Sequence, residues 1–89
     1  MIVIKIFGKK NCDACKSTKQ KFDLFLEKWD AKGDVEMKFY DLDTVEGLTE
    51  GAMNDATDVP STIIEKNGVE VARWTKKVPL SKDFKEIFA

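Results

Sequence analysis

The chain has 89 residues, of which 43% are hydrophobic and 35% charged, and its formal net charge is −1. This length predicts a single domain over residues 1–89, because two halves would each be too small to bury a core. The balanced charge excludes the basic surface typical of nucleic-acid-binding proteins. No apolar run is long enough to span a bilayer, and Met1–Phe7 lacks a signal-peptide pattern. We therefore expect a monomer in the reducing cytoplasm that binds neither nucleic acid nor membrane.

The N-terminal part of the sequence predicts a strand, a helix and a second strand. Residues 2–7 are nearly apolar on both faces, which is typical of a strand in the middle of a sheet. Gly33 predicts the end of the helix, and Val35–Tyr40 alternates as the second strand. Two strands joined by a helix lie parallel, with a right-handed crossover. The apolar stripe of the helix consists of Cys15, Thr18, Phe22, Phe25, Leu26 and Trp29.

The middle of the chain predicts a second, weaker helix. Asp43 and Glu46 resemble a capping box at its start. Gly47 and Gly51 lower the helix propensity of this segment. The residues expected to face the core are Val45, Leu48, Ala52 and Ala56.

The C-terminal part predicts a hairpin and a last helix. Asn67-Gly68 is a two-residue turn signal between strands at 61–66 and 69–75. Ser81 is the expected N-cap of a short helix with the apolar residues Phe84, Ile87 and Phe88. The phenylalanines expected in the core are Phe22, Phe25, Phe39 and Phe84. The order βαβ-α-ββα predicts an α/β fold with a four-stranded mixed sheet flanked by helices.

Two cysteines, Cys12 and Cys15, stand where the first strand gives way to the first helix. This spacing places Cys12 at or near the helix N-cap, where backbone N–H groups have no partner within the helix. A thiolate gains hydrogen bonds and the favourable end of the helix dipole there, so we expect the pKa of the Cys12 thiol to be lowered. Lys16 adds positive potential, whereas the Asp13 carboxylate repels the thiolate and raises the pKa of Cys12.

The two cysteines are expected to differ in exposure. Cys15 lies on the apolar stripe of the helix and should be buried, while Cys12 should be accessible. One exposed and one sheltered thiol is the arrangement that thiol–disulfide exchange requires. Because the compartment is reducing, a catalytic or metal-binding pair is favoured over a structural disulfide.

Two other functions remain open at this point. The first is a zinc or iron–sulfur module, which needs four ligands. The chain has no histidine and no third cysteine, so two chains would have to share such a site through their Cys12 and Cys15 pairs. The second is a redox-linked interaction domain without turnover of its own.

Two segments resemble a known superfamily. The segment Gly8–Lys16 resembles the active-site turn of glutaredoxins, which carry a lysine shortly before the first cysteine. Val59–Ile64 and the hairpin after it look like the second half of thioredoxins. The resemblance implies the thioredoxin fold and a small, glutaredoxin-like thiol–disulfide oxidoreductase. In such an enzyme Cys12 attacks the substrate and Cys15 resolves the mixed disulfide.

The resemblance also implies further site residues. It implies a cis Val59–Pro60 bond beside the sulfurs, although the sequence pattern alone equally allows an ordinary trans proline at a strand start. The Val59 backbone, Pro60 and Lys9 would then contact the substrate.

The sequence departs from both relatives. Asn11 replaces the tryptophan that precedes the first cysteine of thioredoxins, and Ile6 replaces their buried aspartate. The glycine pair with which glutaredoxins bind glutathione is missing from residues 76–83. We expect no bound cofactor, a disulfide-containing protein as substrate, and either glutathione or a reductase of the thioredoxin-reductase type as electron donor.

Overall fold

The structure is a computed structural model that describes residues 1–28 and 35–88. The predictions for Trp29 and Gly33 lie outside these residues. A short 3₁₀ helix at Lys85–Phe88 follows the last α-helix. The α-helices and strands are β1 (Ile2–Gly8), α1 (Asp13–Lys28), β2 (Val35–Asp41), α2 (Val45–Met53), β3 (Ser61–Lys66), β4 (Val69–Thr75) and α3 (Ser81–Phe84). The predicted order βαβ-α-ββα is confirmed.

The four strands form one mixed sheet in the order β2-β1-β3-β4. Strand β1 pairs parallel with β2 and antiparallel with β3, and β3 pairs antiparallel with β4. The central position of β1 agrees with its apolar residues on both faces. The hairpin turn is also where it was predicted, with positive φ at Asn67 (54°) and Gly68 (83°). Among the described residues, no helix is long and apolar enough to cross a membrane.

Helices α1 and α3 cover one face of the sheet with large side chains. The even-numbered residues of β1 point to this face, and Ile4 and Ile6 are fully buried there. Phe84 of α3 packs between the rings of α1, with centroids 4.5 Å from Phe22 and 4.8 Å from Phe25. The buried cluster consists of Ile4, Ile6, Phe22, Phe25, Leu26, Ile64 and Phe84.

Helix α2 belongs to the opposite face, where the buried cluster is smaller. It contains Phe7, Leu42, Ala56 and Ile63. The buried residues of α2 itself are Gly47 and Gly51. A Cβ on Gly47 would overlap the carbonyl group of Asp41, and one on Gly51 would lie 2.8 Å from Leu42 Cδ2. The helix therefore approaches the chain so closely on this side that glycine is required.

Three predictions about α2 were wrong. The N-cap is Thr44, whose Oγ1 accepts a hydrogen bond from the Gly47 N–H at 3.0 Å, and not Asp43. Val45 and Leu48 are 85% and 53% exposed, because the glycine side of the helix faces inward. Ala52 is exposed as well. Ala56 is buried as predicted, but it lies beyond the end of the helix.

Two further predictions need correction. Phe39 is 39% exposed and is not a core residue. It lies on β2, which is an edge strand and is paired on one side by β1. The N-cap of α3 is Leu80, and Ser81 is the first helical residue. The backbone N–H of Leu80 donates to the Asp83 carboxylate at 3.3 Å, so the Asp83 side chain takes part in capping the helix.

Candidate functional site

The two cysteines lie in the turn that joins the carboxyl end of β1 to α1. The Cys12 N–H donates to the carbonyl oxygen of Lys9 at 3.3 Å, which closes the turn. Cys12 and Cys15 form a disulfide with their Cα atoms 5.2 Å apart, within the usual range for such a bond. The structure therefore represents the oxidised form of the pair.

Cys12 occupies the N-cap of α1. Its Sγ accepts a hydrogen bond from the backbone N–H of Cys15 at 3.1 Å, and its carbonyl oxygen accepts from the Lys16 N–H at 3.2 Å. A side-chain acceptor that bonds the N–H three residues later is the usual N-cap geometry. The sequence predicted this placement. The same N–H would stabilise a thiolate on Cys12 once the disulfide is reduced.

The two sulfurs have different surroundings. Cys12 is half-buried, whereas Cys15 is completely buried beneath the first turn of α1. Gly8 makes room for Cys15, since a Cβ at position 8 would lie 2.8 Å from both the Cβ and the Sγ of Cys15. The prediction that Cys15 is the inward residue of the pair is confirmed. Of the two cysteines, Cys12 is therefore the more exposed one.

The Val59–Pro60 peptide bond is cis, as the resemblance implied. Pro60 is buried and Val59 is half-buried against the cluster around Phe7. Ser61, the next residue, pairs with Phe7 of β1. This register brings the Val59–Pro60 bond to the carboxyl end of β1, which is the sheet edge that carries the cysteine turn.

The charged residues of the turn are exposed. Asp13 is the first residue of α1, and Lys16 follows on the same turn of the helix. The Nζ of Lys9 lies 3.8 Å from the Asp43 carboxylate, with both side chains about half in solvent (49% and 63%). An ion pair at this exposure contributes little stability. It does place Lys9 toward the start of α2.

The sequence did not reveal two residues near the cysteines. The tip of the Phe39 ring lies 3.1 Å from where a Cβ of Gly8 would be, so this ring borders the space next to Cys15. The Nζ of Lys19 lies 5.8 Å from the centroid of the same ring. The parallel register that pairs Ile6 with Phe39 brings the ring there. An alternating pattern alone does not supply that register.

Thr62 is the second such residue. It is fully buried, and its Oγ1 has no hydrogen-bond partner among residues 1–28 and 35–88. It pairs with Ile6 across β1 and β3, on the face that α1 covers. Ile6 is itself fully buried, so the Thr62 hydroxyl has an apolar side chain beside it on the sheet. A threonine in an apolar run is typical of a strand, so no sequence pattern distinguishes Thr62 from other strand residues.

Solved structures of thioredoxins superpose on nearly the whole chain. Thioredoxin 1 of Thermosipho africanus has a TM-score of 0.75 at 21% identity, over 97% of this chain and 90% of that one. The thioredoxin of Fasciola hepatica has a TM-score of 0.75 at 22% identity, over 98% and 78%. Oxidised thioredoxin O2 of Arabidopsis thaliana has a TM-score of 0.77 at 18% identity, over 100% and 76%. This chain has the thioredoxin fold.

No protein-family model matches the sequence, and no curated protein is similar to it at a significant level. The described residues contain no group of three or more histidine, cysteine, aspartate or glutamate side chains that could hold a metal ion.

Proposed function

We propose that the protein is a thiol–disulfide oxidoreductase that reduces disulfides of protein substrates through Cys12 and Cys15. One observation carries the proposal. The sulfur of the half-buried Cys12 caps α1 and accepts a hydrogen bond from the Cys15 N–H at 3.1 Å, while Cys15 is fully buried. This combination activates one thiol and shelters the other, which is the asymmetry needed for exchange through a mixed disulfide.

The first step is attack by the Cys12 thiolate on one sulfur of the substrate disulfide. A bond forms between Cys12 and that sulfur, and the other substrate sulfur leaves as a thiolate that takes up a proton from water. The N-terminal end of α1 favours this step, because the Cys15 N–H stabilises negative charge on Cys12.

The second step is attack by Cys15 on the sulfur of Cys12. Cys15 loses its proton as it attacks, the remaining substrate sulfur leaves as a thiolate that takes up a proton, and the protein retains the Cys12–Cys15 disulfide that the structure contains. Two electrons have then passed from the protein to the substrate. Cys15 is already close enough, since the Cα atoms of the pair are 5.2 Å apart. Gly8 keeps the space beside Cys15 free of a side chain.

Val59, Pro60 and Lys9 are proposed to bind the substrate. The Val59–Pro60 bond lies immediately before β3, at the sheet edge that carries the cysteine turn. The backbone of Val59 can pair with an extended substrate segment, as an added strand does. Lys9 would add an attraction for acidic groups that salt screens.

Asp13 and Lys16 are proposed to tune the pKa of the Cys12 thiol in opposite directions. Both are exposed on the first turn of α1, next to the capping sulfur. Asp13→Asn should lower the pKa of Cys12 by removing a like charge, and Lys16→Gln should raise it. Ultraviolet absorbance of the thiolate, titrated in each reduced variant, measures both changes.

The proposed electron donor is a protein reductase of the thioredoxin-reductase type, with glutathione as the alternative donor. Segment 76–83 lacks the glycine pair of glutaredoxins, so a small flexible donor finds few fixed polar contacts there. A protein donor can use the broad surface around Cys12, Val59 and Pro60.

The test is disulfide reduction driven by NADPH through either donor system. We expect the purified protein to accelerate the reduction of insulin, and thioredoxin reductase to support at least as much turnover as glutathione with glutathione reductase. Cys12→Ser should abolish turnover with both donors. Faster turnover with glutathione, lost in Lys9→Ala, would reverse the donor assignment.

The same preparation tests the alternative of a metal or cluster site. Freshly purified protein should be colourless and free of stoichiometric zinc and iron. A bound cluster, together with absent insulin reduction, would replace the oxidoreductase proposal by a module shared between two chains. The cytoplasmic location expected from the sequence is part of the proposal and is checked by cell fractionation.

A further inference from the structure

The outer side of α2 combines exposed apolar side chains with acidic ones. Val45, Leu48 and Met53 are 85%, 53% and 77% exposed, and Ala52 is exposed beside them. Spacings of three, four and seven residues place Val45, Leu48 and Ala52 in one row along the helix, and Met53 lies in the next row, eight residues after Val45. Glu46 and Glu50 form the neighbouring row. We call these six residues the α2 outer face.

This exposure follows from how α2 is packed. A Cβ on Gly47 would overlap the Asp41 carbonyl, and one on Gly51 would lie 2.9 Å from the Ala56 carbonyl oxygen. The helix cannot turn another side toward the sheet, because only glycine fits at those two positions. Its apolar side chains must therefore point away from the protein. Contiguous exposed apolar side chains on a small protein usually mark an interaction site.

The charge around this face is strongly one-sided. Residues 39–65 contain seven of the 16 acidic residues of the chain and none of its 15 basic residues. Within the described residues, Glu46 and Glu50 have no ion-pair partner. Lys5 and Arg73 both contact Asn54 at the C-terminal end of α2, and they are paired with Glu65 and Glu70. The α2 outer face therefore attracts cations, and an anionic lipid surface would be repelled.

The segment that leads into α2 is joined to the cysteine turn. The N–H of Leu42 donates to the carbonyl oxygen of Gly8 at 2.9 Å, and Lys9 pairs with Asp43 at 3.8 Å. Helix α2 begins two residues after Asp43 and is about 13 Å long. A partner segment of a few turns can contact the α2 outer face while its disulfide lies at Cys12.

We propose that the α2 outer face docks substrate proteins whose disulfide lies beside a basic and apolar segment. This inference rests on the proposed function and adds the class of substrate. Leu48, Val45 and Met53 would bury apolar side chains of the substrate, and Glu46 and Glu50 would pair with its lysines or arginines. The acidic row steers such substrates to the site and disfavours acidic ones.

The test compares two short peptides that differ in charge. Each carries one cysteine in a mixed disulfide with 2-nitro-5-thiobenzoate, next to a helical segment of leucine and lysine or of leucine and glutamate. Reduced protein transfers two electrons to this disulfide, releases the coloured thiobenzoate and becomes the Cys12–Cys15 disulfide. Stopped-flow absorbance at low salt should show at least about a tenfold faster reaction with the lysine peptide, and the ratio should fall as salt is added.

Two pairs of matched variants locate the effect. Glu46→Lys with Glu50→Lys should remove or reverse the preference for the lysine peptide. Glu27→Lys with Glu86→Lys makes the same change of charge at exposed positions outside α2 and should preserve the preference. Leu48→Ser should slow the reaction with the lysine peptide severalfold. Leu24→Ser, at a leucine that is 67% exposed on α1, should not change this rate.

Reaction with Ellman's reagent, which is too small to reach α2 from Cys12, separates the possible failures. If the protein reduces this reagent and also reduces both peptides at equal rates, the docking proposal is wrong and the oxidoreductase proposal stands. If it reduces none of them, the oxidoreductase proposal is wrong. Sedimentation as a dimer that Leu48→Ser converts to a monomer, without a peptide preference, would assign the α2 outer face to a second copy of the chain and overturn the proposal.

Discussion

On the α1 side of the sheet, helix and strands meet through large side chains, and Phe22, Leu26 and Phe84 are almost completely buried. On the α2 side, the helix buries Gly47 and Gly51 instead. Both helices carry apolar residues at helical spacing. In α1 these residues form the core, whereas in α2 they point to solvent.

The difference shows what decides which side of a helix is buried. Apolar spacing favours burial of the apolar side, which holds for α1. At α2 the chain at Asp41–Leu42 approaches the helix axis too closely for a Cβ, so the glycine side is the side that fits. Close backbone approach overrides the apolar pattern there. The apolar residues left outside become available for a partner.

The largest expected effect is on the side covered by large side chains. Phe84→Ala should reduce the free energy of unfolding by about 3–5 kcal/mol, because Phe84 is fully buried against Phe22 and Phe25 and its loss leaves a cavity. Urea unfolding followed by circular dichroism measures the loss. A cost below about 1 kcal/mol would mean that α3 does not hold this core together.

A substitution that adds a methyl group, instead of removing a side chain, tests the α2 side. Gly47→Ala should reduce the free energy of unfolding by about 3 kcal/mol, because the added methyl group overlaps the Asp41 carbonyl and forces α2 outward. The matched control is Ala52→Gly at an exposed position of the same helix, which should cost only about 1 kcal/mol through helix propensity. If Gly47→Ala stabilised the protein, as alanine does in an unconstrained helix, the close approach would be absent.

The buried hydroxyl of Thr62 tests whether water is excluded from the α1 side of the sheet. Thr62→Val keeps the shape of the side chain and removes a buried hydroxyl that has no partner within residues 1–28 and 35–88. The free energy of unfolding should rise by about 1 kcal/mol, since the desolvation cost of the hydroxyl disappears. Thermal unfolding of the two proteins side by side measures the change. A destabilised variant would reveal a hydrogen bond to an ordered water at this position.

The smallest expected effect concerns the end of α2. The Arg73 guanidinium donates to the carbonyl oxygens of Asn54 (2.7 Å) and Asp55 (2.8 Å) and to the Glu70 carboxylate (2.8 Å). The hydrogen bond from Arg73 lowers the pKa of Glu70 below its usual 4.5. The charged form thus stabilises the fold above the unfolded-state pKa, and this contribution is lost as the pH falls through the folded-state pKa.

Glu70→Gln should therefore cost a few tenths of a kcal/mol at neutral pH, because solvent screens this exposed pair. The difference from the wild-type protein should vanish in acid. Urea midpoints over a pH series measure it. A difference that grew toward acidic pH would mean that the carboxylate is not the group that matters.

The sequence was most informative where local chemistry decides the structure. The two-residue turn at Asn67-Gly68, the central position of β1 and the N-cap placement of Cys12 all follow from residue types and spacing. The cis isomer of the Val59–Pro60 bond could be predicted only from the resemblance to thioredoxins, since the residue pattern allows either isomer.

What the sequence missed depends on contacts between distant segments. The orientation of α2 depends on how closely Asp41 approaches Gly47, and the Phe39 ring reaches Gly8 through the register of β1 and β2. The unpartnered hydroxyl of Thr62 depends on what surrounds it in the folded protein. None of these features has a signature within a short window of sequence.

The most direct test of the central claim, that Cys12 attacks and Cys15 resolves, is trapping of the mixed disulfide. Each single Cys→Ser variant is incubated with a disulfide-containing protein such as insulin and separated on a non-reducing gel. Cys15→Ser should accumulate a covalent adduct through Cys12, and Cys12→Ser should not, because its remaining thiol is buried. Accumulation of the adduct in Cys12→Ser alone would contradict the assignment.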